Sequence, residues 1–171
     1  MQKTSRSAGV YIITGDTKVV ERGSLDKCII CTAGIGERCK FLDGNIDEVK
    51  KYREFSGRWI KDSNLRDGDI ILINGSIGDH GIAVMSQREG MEFETDIKSD
   101  AKPLNRLVER ILKIGGVTCL KDPTRGGVAN ALNEWAEKSR IGIVVDEKRL
   151  PIKKEVRTAC ELLGIDPLQI G

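Results

Sequence analysis

The sequence predicts an α+β protein in which a β-rich opening stretch precedes an α/β region covered by helices. Residues 10–36 set short apolar runs between glycine turns and carry no helical period. Beyond residue 65, strand-like runs alternate with segments of clear 3.6-residue periodicity. Between the two, residues 37–64 are dense in charge. The expected organisation is therefore an opening unit 1–36, a charged connection 37–64 and a second unit 65–171.

Taken in order, Val10 to Thr14 reads as a strand, Gly15-Asp16-Thr17 as a turn and Lys18-Val19-Val20 as a second strand. Lys27 to Thr32 makes a third, ending in Ala33-Gly34-Ile35-Gly36. Cys28 and Cys31 have the two-residue spacing of a zinc knuckle. Residues three apart on a strand point to opposite faces, so these thiols would diverge. No second such pair follows, and the single histidine, His80, is distant in sequence. The expectation is buried apolar cysteines, with no metal assigned to any residue. Five is also an odd count that builds no disulfide framework.

The charged stretch from Glu37 to Arg66 reads as a surface excursion with room for a short helix near Ile46 to Phe55. Asp69 to Asn74 is a continuous apolar run, as in a strand buried on both faces. Leu104, Leu107, Val108, Ile111 and Leu112 then fall on one helical face. Ser99 or Asp100 is placed to cap that helix, Pro103 to fit its first turn and Gly115-Gly116 to stop it. Val128, Ala131, Leu132, Trp135 and Ala136 repeat the spacing, as do Val156, Ala159, Cys160 and Leu163 before Gly164. Val117 to Leu120 and Ile141 to Val145 read as strands between these helices. Leu168 to Gly171 starts one more, so the sequence is expected to be an internal piece of a longer protein.

Composition narrows the function. Hydrophobic residues make up 39% and charged residues 32%, with aromatics at 4%, so Ile, Val, Leu and Ala must form the core. A net charge of +2 without a basic block argues against nucleic-acid binding. No stretch approaches the roughly 20 apolar residues of a membrane span, and Gly9 to Ile13 is too short for a signal-peptide core. A cytoplasmic protein without membrane partners is expected.

Two glycine turns carry the chemistry. Asp69 to Asn74 runs into Gly75-Ser76-Ile77-Gly78-Asp79-His80-Gly81, where a strand–turn–helix would present free N–H groups and a helix dipole to phosphate. A plain structural turn explains the glycines equally well, and His80 fits capping or packing as well as catalysis. Asp122-Pro123-Thr124-Arg125-Gly126-Gly127 repeats the logic and adds a guanidinium fork for phosphate or carboxylate oxygens. Its plainer reading is a helix capped by Thr124 or Asp122 with a solvated Arg125. Gly15-Asp16-Thr17-Lys18 sets an ammonium at a tight turn, as a phosphate site or an exposed hairpin would. A Walker A sequence, a third glycine after Gly34-Ile35-Gly36 and a serine nucleophile elbow are all missing.

The order and wording of these segments are more specific than any one of them. Gly15 to Val20, Thr32 to Gly36, Gly78 to Val84 with Arg88-Glu89-Gly90, and Phe93-Glu94-Thr95 resemble the HypE family of hydrogenase maturation proteins. So do Asp122 to Gly127 with Leu132-Asn133-Glu134, and Glu155-Val156-Arg157 with Ala159 to Leu168. That family sits in the PurM-like, or aminoimidazole ribonucleotide synthetase, superfamily. The resemblance implies a two-domain α+β fold. Residues 1–36 would end its N-terminal domain, and 65–171 would be a truncated C-terminal domain. It also implies a homodimer that binds ATP with Mg²⁺ between domains. A partner carbamoyltransferase, HypF, would load a carbamoyl group on a C-terminal cysteine, and ATP-dependent dehydration would yield thiocyanate. The cyano group would then pass to iron on a HypC–HypD scaffold. Lys18 and His80 take catalytic roles in this reading. Asp16, Thr17, Gly78, Asp79, Asp122, Thr124, Arg125, Gly126 and Gly127 take nucleotide or phosphate roles. The Mg²⁺-binding aspartates and the nucleophilic cysteine belong to regions that this sequence lacks, so the fragment is expected to be inactive alone. Other superfamily enzymes (selenophosphate synthetase, thiamine-monophosphate kinase) fit the turns less well. A non-catalytic interaction module is the alternative of another class.

Overall fold

The helical periods fold as helices. A computed structural model describes residues 1–25, 28–89 and 97–171. Its helices are α1 (Gln2–Ala8), α2 (Lys40–Tyr52), α3 (Asp79–Glu89), α4 (Asn105–Ile114), α5 (Gly127–Ser139) and α6 (Lys154–Leu163). Three single 3₁₀ turns, Asp62–Asn64, Glu147–Arg149 and Pro167–Gln169, punctuate the connections. Gly115 (φ 91°) and Gly164 (φ 67°) end α4 and α6 where the sequence placed stops. The cap of α4 differs: its N-cap is Leu104 with no side-chain bond, Pro103 lies before the helix, and the Ser99 hydroxyl is engaged elsewhere.

The region 37–64 is not a surface excursion. Leu42, Ile46 and Val49 recur at i, i+4 and i+7 among the charges and are buried, and α2 packs along α4. Asp47, Glu48, Lys50 and Lys51 occupy the solvent side, where Lys51 pairs with Glu48 at 2.5 Å. Past α2, Arg53 binds Asp69 at 2.9 Å and donates to the Asn64 carbonyl, tying the helix end to residues 64–69.

The expected strands do not pair. Among the described residues no sheet forms over Val10–Thr14, Lys18–Val20, Cys28–Thr32, Asp69–Asn74, Val117–Leu120 or Ile141–Val145. Lys27, the expected start of the third strand, lies outside the described residues, as do Gly90 and Phe93-Glu94-Thr95. A strand exists only beside a neighbour, and here other groups meet the backbone. Asn45 takes both polar groups of Val117, and Asn64 donates to the Thr118 carbonyl. The cysteine expectation falls with the sheet. Cys28, Cys31 and Cys39 are exposed because nothing packs over them, whereas Cys160 is buried.

Two small cores result. Ile82, Val156, Ala159 and Cys160 join α3 to α6, with Ile97, Ile152 and Ile170 against them. Leu42, Ile46 and Leu112 join α2 to α4, with Phe41, Val108 and Val117 alongside. Helix α5 touches both the Asp62–Asn64 turn and the Pro167–Gln169 turn.

Candidate functional site

The two glycine turns meet on one segment. Gly78 holds φ 83°, and a Cβ there would strike Val156, so only glycine makes this turn into α3. The Gly81 N–H donates to the Gly171 carbonyl at 2.5 Å. On the other side, Gly127 holds φ 58°, and a Cβ there would strike the carbonyls of Leu168 and Ile170, as one on Gly171 would strike the Thr124 carbonyl. Residues 168–171 therefore run between the N-termini of α3 and α5. Gly78, Asp79, His80, Thr124, Gly126 and Gly127, far apart in sequence, fall in one neighbourhood.

Asp79 and His80 face different ways. Asp79 is 2% exposed, and its Oδ2 accepts from Ser76 Oγ at 2.6 Å and pairs with Lys153 Nζ at 2.5 Å. Its Oδ1 is buried without a partner among the described residues. That carboxylate thus braces the start of α3 rather than reaching solvent. Lys153 is raised above the usual lysine range by its bond to Asp79. His80, the next residue, is exposed, and its Nδ1 lies 2.8 Å from Ser99 Oγ.

At the second turn, Lys121, Asp122, Thr124, Arg125, Asn130 and Glu134 line a cleft of about 320 Å³. Neither Thr124 nor Asp122 caps α5. The N-cap is Gly126 and no side chain bonds the first-turn N–H groups, while the Gly127 N–H donates to the Thr124 carbonyl at 3.1 Å. Arg125 is exposed and has no ion-pair partner among the described residues. Lys121 is committed: it binds Asp62 at 2.8 Å and Glu134 at 2.7 Å, while Lys138 bridges the same two carboxylates at 2.9 Å. Trp135 Nε1 also donates to Asp62. The hydrogen bond from Lys121 holds the Asp62 carboxyl down at about 2. Bonds from Lys121 and then Lys138 take Glu134 to about 2 as well. The bonds to Asp62 and Glu134 raise both lysines. The cleft's uncompensated cation is thus Arg125, which suits it to an anion.

The third cluster stands apart. Asp16, Thr17 and Lys18 are exposed. Asp16 Oδ1 accepts the Thr17 N–H at 2.8 Å, and among the described residues no hydrogen bond joins the three to either glycine turn. Among the described residues no three His, Cys, Asp or Glu side chains gather around a cation position, so Mg²⁺ has no ligand set to assign here. No described helix is long and apolar enough to cross a membrane. Sequence reasoning missed Lys153 and Lys121 and gave Ser99 only a capping role. Lys121 adjoins the recognised turn, and the i, i+4 series Asn130–Glu134–Lys138 on α5 was the available signal for its partners.

Residues 66–170 match the sequence profile of the AIR synthase related protein, C-terminal domain. The chain belongs to that family. Its likeness to the hydrogenase maturation branch runs over its whole length. It is 49% identical to the carbamoyl dehydratase HypE of Rhizobium leguminosarum bv. viciae, covering 100% of this chain and 45% of that protein. A solved HypE–HypF complex aligns over 100% of this chain and 51% of its own, with a TM-score of 0.78 and 40% identity. A solved hydrogenase maturation protein HypE in complex with ATP aligns over 99% of this chain and 46% of its own, with a TM-score of 0.78 and 39% identity. The chain spans somewhat less than half the length of the curated relatives it matches.

Proposed function

We propose that this chain is part of an ATP-dependent carbamoyl dehydratase that supplies the cyanide ligand in hydrogenase maturation. The observation that carries the reading is the similarity to HypE along the entire chain, which includes both glycine turns and the Lys18 turn. The convergence of the α3 and α5 N-termini is its geometric support, because such termini favour phosphate.

The reaction starts from a cysteine thiol carrying a carbamoyl group. Transfer of the γ-phosphoryl group of ATP to the carbamoyl oxygen, with release of ADP and loss of one N–H proton, leaves an imidate phosphate. Breaking its C–O bond releases inorganic phosphate, and loss of the remaining N–H proton gives the S–C≡N group. Positioning and charge neutralisation dominate such transfers. Arg125, Thr124 and first-turn N–H groups of α5 beyond Gly127 hold phosphate oxygens, with Gly126 and Gly127 letting the backbone approach. Asp122 and Asp79 shape the turns, and Gly78 lets Asp79 reach Lys153. Lys18 neutralises the transferring group, with Asp16 and Thr17 fixing its turn, and His80 donates a hydrogen bond. Mg²⁺ bound with ATP would supply further charge neutralisation.

The wider reading is a cytoplasmic homodimer of two-domain α+β subunits. Its N-terminal domain includes residues 1–36 and its C-terminal domain residues 65–171, and rest-of-protein strands pair with the exposed apolar runs. It is loaded by a HypF-type carbamoyltransferase and delivers to a HypC–HypD-type scaffold.

Lys18 is the test. The chain is grafted in place of the matching segment of a full-length relative, with and without Lys18→Ala. Carbamoylated and dehydrated tail peptides differ by one water, so mass spectrometry follows the step. Removing one placed cationic donor is expected to slow dehydration about a hundredfold or more while loading continues. Dehydration at the parent rate would reduce Lys18 to a solvated turn residue and overturn its assignment.

A further inference from the structure

Ser99 and His80 lie 19 positions apart, yet Ser99 Oγ sits 2.8 Å from His80 Nδ1. The same oxygen accepts the Ala101 N–H at 3.2 Å. The hydroxyl proton has no other acceptor among the described residues. Donating it to Nδ1 keeps every hydrogen of this small network within the protein, whereas an Nδ1–H would turn the hydroxyl proton out to solvent. We infer that Ser99 is a positioning residue that holds His80 as the neutral tautomer with Nδ1 bare and the proton on Nε2.

The consequence rests on the proposed dehydratase reading. A neutral imidazole with a fixed Nε2–H donates a hydrogen bond to a phosphoryl or carbamoyl oxygen and does not act as a base through that nitrogen. Ser99 touches no reacting atom and works through His80. The chain also makes the state easy to observe, since His80 is its single histidine.

Imidazole ¹⁵N resonances of the labelled chain at about pH 9, above the ordinary histidine range near 6.5, report the tautomer directly. Solid-state spectra give the same shifts if the chain self-associates. The expected result is Nδ1 at the unprotonated position and Nε2 at the protonated one. Ser99→Ala is expected to draw the two resonances together, and Ser99→Thr, which keeps the hydroxyl, to restore their separation. A protonated Nδ1 in the parent chain, or resonances unmoved by Ser99→Ala, overturns the inference. In the grafted full-length enzyme, Ser99→Ala is expected to lower dehydration severalfold with Ser99→Thr recovering it, and unchanged turnover overturns Ser99 as a positioning residue for the reaction. A graft that never dehydrates counts against the dehydratase reading, while the tautomer result stands by itself.

Discussion

Asn45 does for Val117 what a neighbouring strand would do. It is 0% exposed, its Nδ2 donates to the Val117 carbonyl at 2.7 Å, and its Oδ1 accepts the Val117 N–H at 2.8 Å. Asn45→Ala leaves both half-buried backbone groups unpaired and is expected to lower stability by about 2 kcal/mol or more. Asn45→Asp keeps the acceptor but sets an oxygen against the carbonyl, so it is expected to fall short of wild type too. Urea unfolding of the three proteins measures this, and a loss under about 0.5 kcal/mol for the alanine variant would mean that Val117 finds other partners. A polar residue inside an apolar helical stripe gave no warning of this role. The turn glycines at 78 and 127 were legible because their type alone restricts what they can do. The burial of Asp79 was not, since it depends on Lys153, 74 positions away.

At the level of elements, α4, α5 and α6 were readable, while α1 and the strands were not. A helix closes its hydrogen bonds within a few residues, so Leu107, Val108, Ile111 and Leu112 declare α4 locally. A strand depends on a partner from elsewhere in the chain, and no pairing exists here among the described residues. Helix α2 was half-read because its charges outnumber the Leu42, Ile46 and Val49 stripe. The clasp of Asp62 and Glu134 on Lys121 and Lys138 joins the Asp62–Asn64 turn to α5, and it sets an acid limit. Both carboxylates have folded values near 2, below their ordinary values of 3.8 and 4.5. A depressed carboxylate contributes its stability in full above the unfolded value and loses it as pH falls through the folded one. The clasp should therefore hold above about pH 4.5 and fail progressively towards pH 2. Acid titration followed by Trp135 fluorescence reads it directly. Lys121→Met is expected to move the transition to higher pH, and a transition insensitive to Lys121 would show that other groups set the limit.

The whole molecule exposes far more surface than its mass warrants. Its accessible area is 13874 Å², whereas folded monomers of 18.9 kDa scale to roughly 8,300 Å². The excess of roughly 5,500 Å² exceeds a standard protein interface of about 1,600 Å² several times over. Much of it is apolar and strand-like: Tyr11, Ile13, Val19, Ile70 and Leu72 are each more than 80% exposed. Extended apolar segments with unpaired N–H and C=O groups are templates for intermolecular pairing. The chain alone is accordingly expected to self-associate in the micromolar range. Light scattering over a dilution series, with reductant present to exclude disulfides through Cys28, Cys31 and Cys39, measures the association. Ile70 and Leu72 make the sharpest probe, because both project from one run and neither belongs to either buried core. Ile70→Glu with Leu72→Glu should shift the series towards monomer while leaving the helical unfolding transition in place, since no core contact is removed. A parent chain that stays a monodisperse monomer at high concentration would show that these runs find cover within a single copy.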